Sequence, residues 1–128
     1  MNEYSVITKK RREKLCKATS TGEAIAKISK IAFGDQGYDE SSGTPKTPDD
    51  TQTNLNHQLG SFNIDGVTYP TTTTARYSVT IPKDAMTGAS VSEAALIDSD
   101  GDVVAIKNMY PKRKDSDVIF VFEFDDEF

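Results

Sequence analysis

The chain has 128 residues and a mass of 14.0 kDa, which suits one domain built around a single hydrophobic core. Its 36% hydrophobic and 27% charged residues are typical of a soluble globular fold, and no apolar run approaches the ~20 residues of a membrane-spanning helix. The net charge of −5 is divided unevenly: residues 1–37 carry +4 and residues 38–128 carry −9, which disfavours a broad phosphate-binding surface.

The N-terminus MNEYSVITKKRR lacks the apolar core of a signal peptide. The single cysteine, Cys16, cannot form a disulfide within the chain. Both features predict synthesis in the cytoplasm, and nothing in the sequence predicts contact with a membrane.

The first predicted element is a short helix over residues 7–18, which are rich in Lys, Arg, Glu, Leu and Ala. Thr8 stands where an N-terminal cap is expected. Within the helix, KKRREKLCK (residues 9–17) concentrates positive charge, but no aromatic residue lies among the cations to stack on bases. The pattern favours a solvated helix face, or a patch that meets acidic neighbours, over a nucleic-acid-binding segment.

The segment AIAKISKIAF (residues 24–33) fits a helix or a strand by periodicity, and its β-branched residues and the stop at Gly34-Asp35 favour the strand. Residues 35–54 contain glycines and prolines but almost no apolar side chain, which predicts a long polar surface loop. Loops of this length in a compact domain are usually mobile or part of a contact surface. We therefore expect this loop to be a candidate interface that becomes ordered only against a partner.

Beyond the loop, the pattern changes to strands separated by turns. Asp65-Gly66 predicts a hairpin between residues 54–64 and residues 67–82, and the second segment contains a strand bounded by Pro70 and Pro82. The second half of that strand alternates polar residues with residues of a half-buried face: Tyr77, Val79 and Ile81.

The closing segment DVIFVFEFDDEF (residues 117–128) gives the strongest strand signal in the chain. Alternate positions form one apolar face that is predicted to lie in the core: Val118, Phe120, Phe122 and Phe124. A helix followed by strands predicts an α+β fold in one domain over residues 1–128. The expected architecture is a mainly antiparallel β-sheet or sandwich with one short N-terminal helix and the long polar loop.

The stretch IDSDGDVVAI (residues 97–106) fits either a calcium loop or the turn of a hairpin. A calcium loop of the EF-hand type that begins at Asp98 would place Val103 where glycine is needed and Met109 where a bidentate glutamate is needed. Asp100-Gly101 instead fits the two central residues of a tight turn with positive φ, between two apolar runs. The sequence therefore predicts a hairpin here and no metal site, with chelation by loop carboxylates as the minor alternative.

No residue pattern indicates catalysis or cofactor binding. His57 is the only histidine, which excludes a histidine-based zinc site, and no serine has the glycine spacing of a nucleophile elbow. Cys16 lies in a basic segment but has no catalytic partner in any motif. We predict that the protein is not an enzyme and has no cofactor, and an enzyme with an unrecognised site is the alternative.

Several segments, taken in order, resemble one known family. They are KISKIAFGDQGYDE, ARYSVTIPKD, VSEAALIDSDGDVVAIKNMYPKRKD and the closing FEFDDEF. Together they are similar to the N-terminal domain of phage tail-collar fibre proteins, over residues 8–128, and the most specific blocks are residues 31–35 and 92–107. Gln36 and Ala94-Ala95 depart from the usual family pattern.

The resemblance implies a structural protein of a phage tail, or of a related injection particle such as a tailocin. Such a domain fixes a receptor-binding fibre to the baseplate, so its expected partners are a baseplate protein and a tail-fibre protein, in a homotrimer located in the virion tail. The chain is then either the attachment domain of a longer fibre or a complete connector or cap at the baseplate, and Met1 favours the second. A nucleic-acid-binding module that uses the basic segment is the less favoured alternative.

Candidate partner-binding residues are aromatic or apolar side chains near the chain ends and in loops, together with cations of the basic segment. They are Tyr4, Ile7, Lys10, Arg11, Arg12, Tyr38, Tyr110 and Phe128. The basic segment is also expected to complement acidic residues of the C-terminus, between subunits or against a baseplate neighbour. Those acidic residues are Glu123, Asp125, Asp126 and Glu127.

Overall fold

The computed structural model describes residues 3–128, and this part of the chain forms two facing β-sheets, a small hairpin and one helix. In chain order the elements are β1 (Ser5–Ile7), α1 (Lys9–Thr21), β2 (Ile28–Gly34), β3 (Tyr38–Asp39), β4 (Thr44–Pro45), β5 (Gln58–Asn63), β6 (Gly66–Thr71), β7 (Thr74–Ile81), β8 (Ser90–Asp98), β9 (Val103–Arg113) and β10 (Phe120–Glu127). The predicted α+β fold with mainly antiparallel sheets is confirmed.

The larger sheet has five strands in the order β1-β9-β8-β2-β5, and the smaller has three in the order β10-β7-β6. Strands β3 and β4 pair with each other, and every pairing in the three sheets is antiparallel. The two large sheets face each other across one apolar layer, to which Phe33, Leu96, Val79 and Phe124 contribute. The rings of Phe33 and Phe122 meet edge to face across it, with their centroids 5.1 Å apart.

Strand β10 follows the predicted alternation and is an edge strand of the smaller sheet. Phe124 is buried, Phe120 and Phe122 pack against the same core, and Val121 on the opposite face is 68% exposed. The predicted inner face of β7 is also confirmed, because Val79 and Ile81 are buried. Period-two patterning therefore identified the inner faces of both strands correctly, except that Val118, which was predicted to belong to this face, lies before β10 begins at Phe120.

The predicted hairpin at Asp65-Gly66 is wrong, because β5 and β6 lie in different sheets. The chain crosses between the sheets here: the Ile64 amide donates to the Ser29 carbonyl at 3.1 Å, and the Asp65 amide donates to the Ser78 carbonyl at 2.8 Å. Each amide thus finds a partner far along the chain, and the local turn preference of Asp-Gly does not decide the pairing. The hairpin is instead the β6–β7 connection, where Thr71 pairs with Thr74.

Helix α1 begins one residue after its cap, as predicted. The Thr8 hydroxyl accepts a hydrogen bond from the Arg11 amide at 3.3 Å and donates one to the Val103 carbonyl at 2.8 Å, so the cap also fastens the helix to β9. The helix continues to Thr21, beyond the predicted end, and stops at Gly22, whose φ of 76° is a left-handed C-terminal conformation. No helix within residues 3–128 has the length and apolar character needed to cross a membrane.

A buried ion pair joins α1 to β10. Both terminal nitrogens of the Arg11 guanidinium donate to the Asp126 carboxylate at 2.7 Å, with Arg11 8% exposed and Asp126 fully buried. The guanidinium also lies 5.2 Å from the centre of the Phe128 ring. The structure therefore places Arg11, which we had expected to meet a partner, inside its own domain, together with one of the acidic residues expected at the surface.

The long polar loop does not depend on a partner for its contacts, so that expectation is wrong. Pro45 and Pro48 are buried, the Lys9 amide donates to the Asp50 carbonyl at 2.7 Å, and the Asn108 side chain donates to the Lys46 carbonyl at 2.9 Å. These bonds satisfy backbone groups of the loop within the same chain. The sequence pattern did not show them because every partner is distant along the chain.

We expect Arg11→Ala to destabilise the fold by about 3–5 kcal/mol, because it would leave the Asp126 carboxylate buried without a counter-ion. Urea unfolding followed by circular dichroism measures the free energy of unfolding. Arg12→Ala is the matched control: Arg12 is exposed and pairs with Asp50 at the surface, so its loss should cost less than about 1 kcal/mol. Equal losses in the two variants would show that the buried pair does not hold the helix.

Candidate attachment surface

The three candidate tyrosines come together at one end of β9. The rings of Tyr38 and Tyr110 are 5.8 Å apart and inclined by 51°, and Tyr110 is 55% exposed. Tyr4 is their neighbour: partial burial, the Glu3 carboxylate and the Tyr110 phenol together raise the pKa of its hydroxyl. The Tyr4 carbonyl accepts a bond from the Asn108 amide at 2.8 Å, which ties the start of the chain to this end of β9.

A cleft of about 510 Å³ lies beside this aromatic pair. Its charged lining consists of three carboxylates and one ammonium, from Asp35, Asp39, Glu40 and Lys46. We call the Tyr38–Tyr110 pair together with this cleft the tyrosine cleft. Hydrogen bonds from the Ser41 hydroxyl and amide lower the pKa of Asp39, so this carboxyl stays ionised at neutral pH. The tyrosine cleft thus combines one exposed and one half-buried aromatic ring with an excess of negative charge.

A buried glutamate holds the floor of the tyrosine cleft. Glu93 on β8 is fully buried, and its carboxylate accepts hydrogen bonds from the amides of Gln36 at 3.1 Å, Asn56 at 2.8 Å and His57 at 2.9 Å. Three charge-assisted bonds satisfy the buried charge and fix two chain segments beside each other. Sequence reasoning did not single out Glu93, although a lone acid within an apolar strand pattern was a signal for it.

The two most specific sequence blocks meet at this glutamate. Residues 31–35 and 92–107 belong largely to β2, β8 and β9, and β2 pairs directly with β8. A Cβ at Gly34 would overlap the His57 carbonyl oxygen and the Glu93 carboxylate, and one at Gly37 would overlap the Ser92 carbonyl. These glycines therefore allow the backbone to approach Glu93 and Ser92 closely, and the blocks build the frame that supports the cleft.

The aspartate stretch forms the predicted hairpin between β8 and β9, but the turn differs in type. The Asp98 amide donates to the Asp102 carbonyl at 3.0 Å, which encloses a three-residue loop in which Gly101, with φ of 89°, has positive φ and Asp100 does not. The predicted positive φ at Asp100 is therefore wrong. The Asp98 carboxylate explains the difference, because it accepts the amides of Asp100 and Asp102 at 3.0 Å each and favours the longer loop.

The three aspartates also anchor the helix, which sequence reasoning missed. The Lys14 ammonium lies 2.6 Å from Asp98, 3.0 Å from Asp100 and 2.6 Å from Asp102. Their carboxylate oxygens lie within 4.8 Å of one another, as chelating ligands would, but the chain's own ammonium lies among them. These ion pairs hold α1 against the turn.

The remaining candidate residues are distributed over the domain. Lys10 and Arg12 are exposed on α1, and Ile7 packs against the core. Phe128 is exposed but stacks against Arg11. Of the acidic C-terminal residues, Asp125 binds Arg76 at 2.8 Å within the chain.

Of the two residues considered for chemistry, His57 lies directly before β5 and Cys16 lies on α1. His57 has Nδ1 2.6 Å from an Asp35 oxygen, on the rim of the tyrosine cleft, and its ring is largely exposed. Cys16 is exposed on α1. The contact between His57 and Asp35 joins the start of β5 to the lining of the cleft.

We expect Lys14→Met to cost about 2 kcal/mol at neutral pH, because charged hydrogen bonds are lost and the carboxylates then repel each other. The cost should shrink as pH falls. The hydrogen bond from Lys14 lowers the pKa of Asp102 in the folded protein. The stability that this bond contributes is therefore complete above about pH 3.9, the pKa of aspartate in the unfolded chain, and is lost as the pH falls through the lower pKa of the folded state. Unfolding free energies of both proteins across this range test it, and a cost independent of pH would contradict it.

We expect Gly34→Ala to destabilise the fold by about 1–3 kcal/mol or more, because the added methyl group must displace Glu93 or the His57 carbonyl. Gly60→Ala is the matched control on the adjoining strand. Its Cβ would lie 3.7 Å from the nearest atom, an ordinary contact, so its effect should stay within about 1 kcal/mol. Thermal unfolding of the two variants measures the difference, and equal stability would disprove the close approach.

One comparison with known proteins, the match to a family model, agrees with the resemblance seen in the sequence. The family model described as phage tail-collar fibre protein, N-terminal, matches residues 1–118. No curated protein matches the chain, and no solved structure matches it. Because the family model covers most of the chain, including both specific blocks and the residues of the tyrosine cleft, the chain belongs to the phage tail-collar fibre protein family and is a structural protein of a phage tail.

Proposed function

We propose that this domain attaches a receptor-binding fibre to the baseplate of a phage or of a phage-derived particle such as a tailocin. Membership of the tail-collar fibre family supports a place in the tail. The observation that carries the proposal is the tyrosine cleft, where the exposed Tyr110 and the half-buried Tyr38 lie beside a charged cleft on a rigid frame. Exposed aromatic anchors of this kind are typical of protein interfaces.

The frame makes the tyrosine cleft suited to binding. Residues 34–37 are held by Glu93 and by a bond from the Gly37 amide to the Ser92 hydroxyl at 2.9 Å. Tyr38 follows directly and needs no large rearrangement to present its ring. A preorganised surface loses little conformational freedom on association, so more of its contact energy appears as affinity. An attachment module that must hold a fibre under load benefits from this property.

The basic segment supports protein contacts better than nucleic-acid contacts. Three of its cations already have carboxylate partners within the chain: Arg11 with Asp126, Arg12 with Asp50, and Lys14 with three aspartates. These pairs reduce the positive potential offered to phosphate. The cations that remain exposed are placed to orient a protein partner, since charges at an interface rim set register and encounter rate.

The attachment role requires more than one chain. We propose a homotrimer at each fibre site, with a baseplate protein and a tail-fibre protein as its further partners in the virion.

Particles assembled without this chain should lose their fibres. Electron microscopy counts the fibres per particle, and mass spectrometry measures the ratio of fibre protein to baseplate protein. Supplying the wild-type chain in trans should restore both, which controls for indirect effects on expression. Fibres that remain in normal number on particles lacking the chain would refute the attachment role.

A further inference from the structure

We infer that the tyrosine cleft of one copy binds the exposed, positively charged outer side of helix α1 of a second copy. This inference rests on the proposed assembly of several copies at a fibre site. It identifies which two surfaces meet in that assembly.

The tyrosine cleft has the chemistry of a site for basic side chains. Its lining carries two net negative charges, with Asp35, Asp39 and Glu40 outnumbering Lys46. The Tyr38 and Tyr110 rings stand beside these carboxylates. An ammonium or guanidinium group that enters such a cleft meets the Tyr38 ring as well as carboxylate oxygens, and the two attractions add.

Helix α1 presents the complementary surface. Five exposed residues line a shallow groove of about 380 Å³ on its outer side: Lys9, Arg12, Glu13, Cys16 and Lys17. The groove lining has three cations and one carboxylate. Arg12 already pairs with Asp50, so Lys9 and Lys17 supply the positive charge that the negatively charged cleft would meet. The aliphatic stems of its lysines and arginine give it apolar walls against which a tyrosine ring packs well. The charge of this surface therefore complements that of the tyrosine cleft.

Within one copy, the groove and the cleft are too far apart to contact each other. The Thr8 amide, at the start of α1, bonds the Val104 carbonyl, whereas Tyr110 lies six residues farther along the same strand. At 3.3 Å per residue this separation is about 20 Å. The helix then leads away from the cleft, because Lys14 reaches the Asp98 turn beyond the opposite end of β9. The two surfaces are thus available only to different copies.

Both surfaces are fixed to the same rigid body. The Arg11–Asp126 pair and the Lys14 contacts hold the helix, and Glu93 holds the cleft floor. A contact between two different patches on identical subunits is heterologous, and it closes into a ring when the rotation between subunits allows it. In a ring of three copies joined in this way, the groove of each copy would be bound by the cleft of the next.

Cross-linking tests the contact directly, because the single natural cysteine lies in the groove. We propose Ser90→Cys, which introduces a thiol at the lining of the cleft with little change in size, followed by treatment with a short bismaleimide. Denaturing gels should show covalent dimers and trimers. Val121→Cys, at a residue that is 68% exposed on β10, is the control and should give none.

Two further results decide the cross-linking experiment. Replacing Cys16 by Ser in the Ser90→Cys variant should abolish the covalent oligomers. Oligomers that persist without Cys16, that form equally with Val121→Cys, or that never form with Ser90→Cys would overturn the inference.

Charge reversal gives an independent measure by sedimentation. Lys17→Glu and Glu40→Lys, each alone, should weaken self-association roughly tenfold, which corresponds to about 1.4 kcal/mol, and combining them in one chain should recover most of the loss. Lys83→Glu makes the same charge change as Lys17→Glu, but at an exposed residue outside both surfaces, and should have little effect on self-association. A wild-type chain that remains monomeric, or variants that all associate equally, would refute this contact. Fibre retention on particles is measured separately, so the attachment role can stand if this contact fails.

Discussion

The ion pair between Arg11 and Asp126 is the contact on which the rest of the domain depends. It joins the helix to the last strand in a place where Asp126 is fully buried and Arg11 is nearly so. An isolated charge in that position would be strongly destabilising, so each partner requires the other. With the Thr8 bond to β9 and the Lys14 bonds to the aspartate turn, it connects the helix to both sheets. The basic start and the acidic end of the chain therefore balance each other partly within one molecule.

A second buried charge gives the candidate surface its shape. Glu93 uses its carboxylate to gather backbone amides from two segments that are far apart in sequence. The chain just after β2 is thereby held against β8, and Tyr38 meets Tyr110 where β9 leaves the core. Buried charge in this protein thus provides position and rigidity. Binding by rigid aromatic groups, with charges that set orientation, is the physical basis of the proposed attachment role.

Local signals predicted the features that depend on near neighbours along the chain. Thr8 caps the helix because its hydroxyl reaches an amide three residues away. Phe120, Phe122 and Phe124 share a face because a strand alternates its side chains. Gly101 forms a hairpin turn because glycine adopts positive φ without strain. The same kind of local reasoning failed at Asp65, where amides pair with residues in different sheets.

The sequence by itself determined the α+β class, the helix cap, the alternating inner faces and the family, since these follow from short-range stereochemistry and ordered motifs. Only the tertiary structure decided which charges are internal, that three aspartates surround Lys14, and that Tyr38 stands beside Tyr110. Those facts depend on contacts between residues far apart along the chain. A side chain's surroundings are set by how the sheets stack and where the helix docks, and composition and spacing carry little information about either.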